Sequence, residues 1–236
     1  MSREGEELGA AGLQSLFQEL SESLQSRGLQ AQIFVVGGAA MALAYDHQRL
    51  TRDVDALFQP ARELRDIAAE IGERHGLEPD WLNDGAKGYM PPNDEHPQTV
   101  FESEALLVQV PSPEYLLAMK LHAARDDRDL NDAAQLYNRA GYTTPEQGVE
   151  LLSRSYPPAM LTVRHRYVPY EVAERAAALR AAATVAKRDH TRTTRAGQIA
   201  AKVSDAKNAT KGEGQGRKSR DLNNDETPHR VQKKAR

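Results

Sequence analysis

The chain has 236 residues, 39% hydrophobic and 28% charged, which suits one large domain or a core domain with a helical extension. It has no cysteine, which excludes a disulfide framework, a thiolate metal site and a cysteine nucleophile; no apolar run approaches the roughly 20 residues of a bilayer span. The net charge of −3 conceals a split: residues 1–185 hold 17 Lys and Arg against 28 Asp and Glu, whereas residues 186–236 hold 14 against 6.

In chain order, residues 1–10 are acidic and lack an apolar core, so a disordered N-terminus without a secretory leader is expected. Leu13, Leu16, Phe17, Leu20 and Leu24 recur at helical spacing, predicting a helix over 11–27 that Gly28 stops. Ile33-Phe34-Val35-Val36 reads as a buried strand, broken at Gly37-Gly38, and 39–45 as a short buried helix. Residues 53–58 form a second strand whose alternation puts Asp53 and Asp55 on one face. Pro60 opens a helix to about His75, stopped by Gly76, and 79–97, rich in Pro, Asn, Asp and Gly, reads as an irregular excursion. Strands are expected at 99–102 and 105–110.

From Ser112 the pattern is helical. Ser112-Pro113-Glu114 starts one helix through Ala124, and a second spans about 127–140 with Asp126 or Asp127 as its cap. Thr144-Pro145-Glu146-Gln147 has the form of a capping box, and an alanine-rich helix is expected over 170–187. Beyond Asp189 hydrophobic residues nearly vanish, which predicts disorder. The expected organisation is a mixed α/β core over 11–111, a small mixed sheet with flanking helices, then an α-helical segment over 112–188 and a disordered basic tail over 189–236.

Three features carry chemistry. A strand–Gly37-Gly38–helix turn allows close backbone approach to an anion, although such turns also serve as plain connections. Asp53 and Asp55, on one face, repel one another unless a divalent cation lies between them, or they form a solvated edge of the strand. Just before them, Thr51 would either bond a phosphate or ribose or end the loop. Lys120 has Leu116, Leu117, Ala123 and Ala124 as its helical neighbours, so it is half-buried and aimed at a partner, or its stem reaches solvent. Asp129 and Asp132 share a face of the next helix; Asp132 beside Lys120 would orient the amine or hold an ion. His47, His96, His122 and His165 lack metal-ligand spacing.

The motifs VVGGAAMALA, TRDVDALF, SPEYLLAMKLHAAR and RDLNDAAQL, in that order, resemble the AbiEii-type nucleotidyltransferases of the DNA polymerase beta-like superfamily. The resemblance spans about 30–140, and Trp81-Leu82-Asn83-Asp84 with Lys87-Gly88 adds a segment of a bacterial branch. It implies that Gly37 and Gly38 grip a nucleoside triphosphate, with Thr51 beside them. Asp53 and Asp55 would hold Mg²⁺, as one or two ions. It also implies that Lys120 contacts phosphate and that Asp132, or Asp129, is the helical aspartate; Asn83 and Lys87 are secondary candidates. The family's usual serine is Gly38 here, and its third carboxylate has only Glu102 and Glu104 as candidates, with Gln109 where an acid would sit.

The activity implied is Mg²⁺-dependent transfer of a nucleoside monophosphate from an NTP to an RNA, such as tRNA, or to a protein hydroxyl. The family includes toxins of type IV toxin–antitoxin systems, so an antitoxin joins the expected partners, in the cytoplasm and away from membrane. Two alternatives remain: a catalytically degenerate nucleotide- or RNA-binding protein of the same fold, and an RNA-binding module built on the basic tail. The tail has no aromatic residues for base stacking, which leaves it a salt-dependent electrostatic term.

Overall fold

The computed structural model describes residues 7–213. Helix α1 (Ala10–Ser26) leads to strand β1 (Ala31–Val35), then to helix α2 (Gly37–Ala40), which widens into a π-helical turn over Met41–Tyr45. Strand β2 (Val54–Gln59) and helix α3 (Ala61–His75) follow, then β3 (Leu82–Asn83), a 3₁₀ turn (Gly85–Tyr89), β4 (Gln98–Glu102) and β5 (Leu106–Val110). The helical part comprises α4 (Pro113–Ala123), α5 (Asp127–Arg139), α6 (Pro145–Ser155), a 3₁₀ turn (Pro158–Met160) and α7 (Arg164–Glu213).

The strands form one mixed sheet ordered β3-β2-β1-β5-β4. β1 runs antiparallel to β2 and parallel to β5, β2 is parallel to β3, and β4 is antiparallel to β5. One face carries Ile33, Val35, Ala56, Val108 and Val110, all buried in the core with Leu13, Phe17, Leu20, Leu64, Ile67 and Ile71 of α1 and α3. This is the alternation a sheet shows when helices cover one side only. The other face carries Asp55, Leu57, Gln59, Gln32, Phe34, Leu107 and Gln109, none of them buried.

The structure moves several expected boundaries. Asp53 lies just ahead of β2, not within it. The 79–97 excursion holds a strand and a 3₁₀ turn, because Trp81 and Leu82 are buried and β3 pairs with Val54 and Asp55 of β2. Leu8 is not disordered: its N–H donates to the Thr51 carbonyl at 2.6 Å and its side chain joins the core, while residues 1–6 lie outside the described residues. The last helix starts six residues early, at Arg164, with Pro169 inside it. The space Pro169 occupies exists because Gly148 has no side chain; a Cβ there would lie 2.9 Å from Pro169 Cβ. Of the expected tail, 189–213 continue α7, and 214–236 lie outside the described residues.

The helix starts follow local chemistry. The Ser112 hydroxyl accepts from Tyr115 N–H at 3.3 Å and Asp126 Oδ1 from Asp129 N–H at 2.9 Å, so Asp126 is the cap of α5. Thr144 and Gln147 form the capping box of α6. The described residues divide after Ala182 into two units.

Candidate functional site

Residues from α2, β2, β3, α4 and α5 line a cleft of about 900 Å³. Gly37 and Gly38, at the start of α2, form one wall. Gly37 has φ +65°, a conformation open to glycine without steric penalty, and a Cβ on it would lie 3.1 Å from Asp55 Oδ2. On Gly38 a Cβ would lie 2.9 Å from Thr51 Oγ1. Any larger residue at either position would fill the space in front of the carboxylate and the hydroxyl.

Asp53 and Asp55 both line this cleft, as do Thr51, Asn83, Lys120 and Asp129. Thr51 is buried and its hydroxyl donates to the Asp53 carbonyl at 3.0 Å, holding the chain entering β2. Burial pushes the Asp55 carboxyl above its ordinary pKa, and the neighbouring Asp53 adds to the rise; Asn83, Lys120 and Arg125 oppose it. Asn83 stands beside Asp55 in the β2–β3 register, and its Oδ1 accepts from Gly85 N–H at 2.9 Å.

Lys120 is 7% exposed although it is charged. Its Nζ donates to Asp132 Oδ2 at 2.8 Å and to Asp129 Oδ1 at 3.1 Å. The ammonium is thus held by two carboxylates from the first turns of α5. Asp129 lines the cleft, whereas Asp132 lies behind it, 4% exposed, with its pKa raised by burial and held back by Lys120. A second cation reaches the same oxygen: Arg49 Nη2 donates to Asp132 Oδ2 at 3.0 Å.

Lys87 does not join this cleft. It lines a separate cavity of about 1120 Å³ over the open sheet face, together with Asp84, Glu104 and Gln109. Glu102, on edge strand β4, is also absent from the cleft lining, so neither candidate for a third strand carboxylate reaches the site. The hydrogen-bond register explains this: Glu102 pairs with Leu107 at the far end of the sheet from the glycine turn. Arg49, Arg125, Arg128 and His122, which sequence reasoning did not single out as site residues, do line the cleft. Arg49 had a readable signal, since Arg49, Thr51, Asp53 and Asp55 alternate along the chain.

Two carboxylates with hard oxygen donors, facing a wall that lacks side chains, suit a small divalent cation that completes its shell with water and phosphate. Among the described residues no group of three or more His, Cys, Asp or Glu forms a closed metal cage.

The chain belongs to the family described as nucleotidyltransferase of unknown function (DUF6036), which matches residues 11–140. Among solved structures it is similar to an antigenic nucleotidyltransferase-like protein from Paracoccidioides brasiliensis, at 13% identity and a TM-score of 0.31, over 57% of this chain and 79% of that one. No curated protein matches the chain. Among the described residues no helix is long and apolar enough to cross a membrane.

Proposed function

We propose that the chain transfers a nucleoside monophosphate from an NTP to a hydroxyl, with Mg²⁺ at Asp53 and Asp55. The observation that carries this reading is the meeting of the carboxylate pair, the Gly37-Gly38 turn and the buried Lys120 in one cleft. Family membership supports the same class of reaction. The motif order quoted above favours an AbiEii-like branch, an RNA acceptor such as tRNA and a toxin role with a partner antitoxin; a protein hydroxyl is the other acceptor.

Bound Mg²⁺ supplies charge neutralisation on the phosphates and polarises the transferring group. The glycine turn lets phosphate approach the backbone, and Asp53 and Asp55 are the residues that would hold the cation. Lys120, fixed by Asp129 and Asp132, places its ammonium at the triphosphate. The acceptor oxygen bonds to the α-phosphorus as the bridging bond to the β-phosphate breaks. Pyrophosphate leaves with the electron pair, and the hydroxyl proton passes to water in the open cleft. No protein nucleophile is required, in keeping with the absence of cysteine.

A second reading, a binder without turnover, is favoured by the displacement of Glu102 and Glu104 from the cleft. Incubation of the full chain with each of four labelled NTPs, Mg²⁺ and total RNA separates the two. Label joined to RNA or to protein supports transfer. Saturable NTP binding with no label transferred establishes the binder instead.

A further inference from the structure

Arg49 lines the same cleft as Lys120 and the Gly37-Gly38 turn. It stands between the π-helical turn and β2, with its side chain 12% exposed. Its backbone N–H donates to the Asp46 carbonyl at 2.9 Å, and its side chain donates to Asp132 Oδ2 at 3.0 Å, an oxygen that Lys120 already occupies at 2.8 Å. A guanidinium offers five N–H donors in a fixed fork. Here Nε is buried and has no partner. Leaving a buried donor unsatisfied is destabilising, and an anionic ligand would offset that cost.

A Cβ on Gly38 would lie 2.9 Å from Thr51 Oγ1 and 3.8 Å from Arg49 Nη2, the nitrogen bonded to Asp132, so this edge of the guanidinium borders the glycine turn beside Thr51. Around it, Arg49 and Lys120 are matched in charge by Asp129 and Asp132. The shared Asp132 oxygen therefore sets the spacing of two cations at one wall of the cleft.

We infer that Arg49 is a phosphate-binding residue which, with Lys120, clamps the triphosphate across Gly38, and that Asp132 is the positioning residue for both cations. The inference rests on the nucleotide reading above and adds a residue to it. A planar fork takes two phosphate oxygens at once, which a lysine does not.

Calorimetric titration of the full chain with inorganic tripolyphosphate and with inorganic phosphate, each with Mg²⁺, tests the clamp without choosing a base. Wild type should prefer tripolyphosphate. Arg49→Met should weaken that affinity roughly ten- to hundredfold, the size expected for a lost charge-assisted bond, and weaken phosphate less. Arg49→Lys should recover part of it. The double variant Arg49→Gln with Asp132→Asn, which removes the cation together with its counter-charge, should lose the preference as well, and it guards against misfolding of Arg49→Met. If the folded variants keep the wild-type preference, the clamp is overturned and the nucleotide reading stands. If wild type binds tripolyphosphate no better than phosphate, both fall.

Discussion

Lys120 donates to two carboxylates while 7% exposed, and that pairing sets what its removal would do. Lys120→Met would leave Asp129 and Asp132 near each other with Arg49 on Asp132 alone. Breaking one partner out of a buried ion pair costs about 3–5 kcal/mol, and each kcal/mol lowers Tm by roughly 2–4 °C in a chain of this size. A thermal melt of Lys120→Met should therefore fall by well over 5 °C; a melt equal to wild type would show the network to be unimportant for folding. That Lys120 would be buried and aimed was readable from Leu116, Leu117, Ala123 and Ala124 around it in the helix. The arrival of Arg49 at the same oxygen was not, because Arg49 and Asp132 are 83 positions apart and only the fold brings them together.

At the level of elements, α3 and the segment after it depend on one glycine. A Cβ on Gly72 would lie 2.8 Å from Trp81 Cδ1 and 3.4 Å from the Glu78 carbonyl. The fully buried Trp81 donates its indole N–H to the Ala68 carbonyl at 2.8 Å and has little room to give way. Gly72→Ala should thus cost about 1–3 kcal/mol, the usual size of overpacking, and lower Tm accordingly. An unchanged Tm would mean that Trp81 relaxes freely.

The helical part has its own device. His122 on α4 stacks between Tyr156 at 4.2 Å and His165 at 4.6 Å, ring centroid to centroid. Burial lowers the His122 pKa from 6.5, so its neutral form is favoured in the folded chain. The unfolded chain then binds the proton more readily, and the contribution of His122 to stability is full above 6.5 and lost as pH falls through its folded value. Denaturant melts should show wild type weakening in that acid window and His122→Gln weakening less; parallel pH profiles would contradict this. The stack joins α4, α7 and the residue that ends α6, and no spacing among the scattered histidines would reveal it.

For the molecule as a whole, periodicity and punctuation made most helices and strands readable: Gly28 and Gly76, both at positive φ, end α1 and α3 as their positions suggest. The strand pairing was less readable, because β1 and β5 pair in parallel across some 75 residues and β3 is only two residues long. Of the site, the glycine turn, Asp53, Asp55 and Lys120 were all legible as local patterns. Asp129 as a wall and Asp132 as a support behind it were not separable, since both fall on one helix face in sequence and only burial distinguishes them.

The acidic charge of residues 1–185 also takes on a local meaning: Asp129 and Asp132 are matched by Lys120 and Arg49, leaving Asp53 and Asp55 as the pair to which the proposed function assigns a cation.

The central claim, nucleotidyl transfer from that pair, is tested most directly by following two labels in parallel. Full-length protein is given α-labelled or γ-labelled NTP with Mg²⁺ and total RNA, beside Asp55→Asn. The α-label should join the acceptor, the γ-label should leave as pyrophosphate, and Asp55→Asn should slow both by at least roughly 10²-fold, as expected when a cation worth several kcal/mol is lost from the transition state. Transfer of the γ-label to the acceptor, or α-label transfer undiminished in Asp55→Asn, would contradict the account.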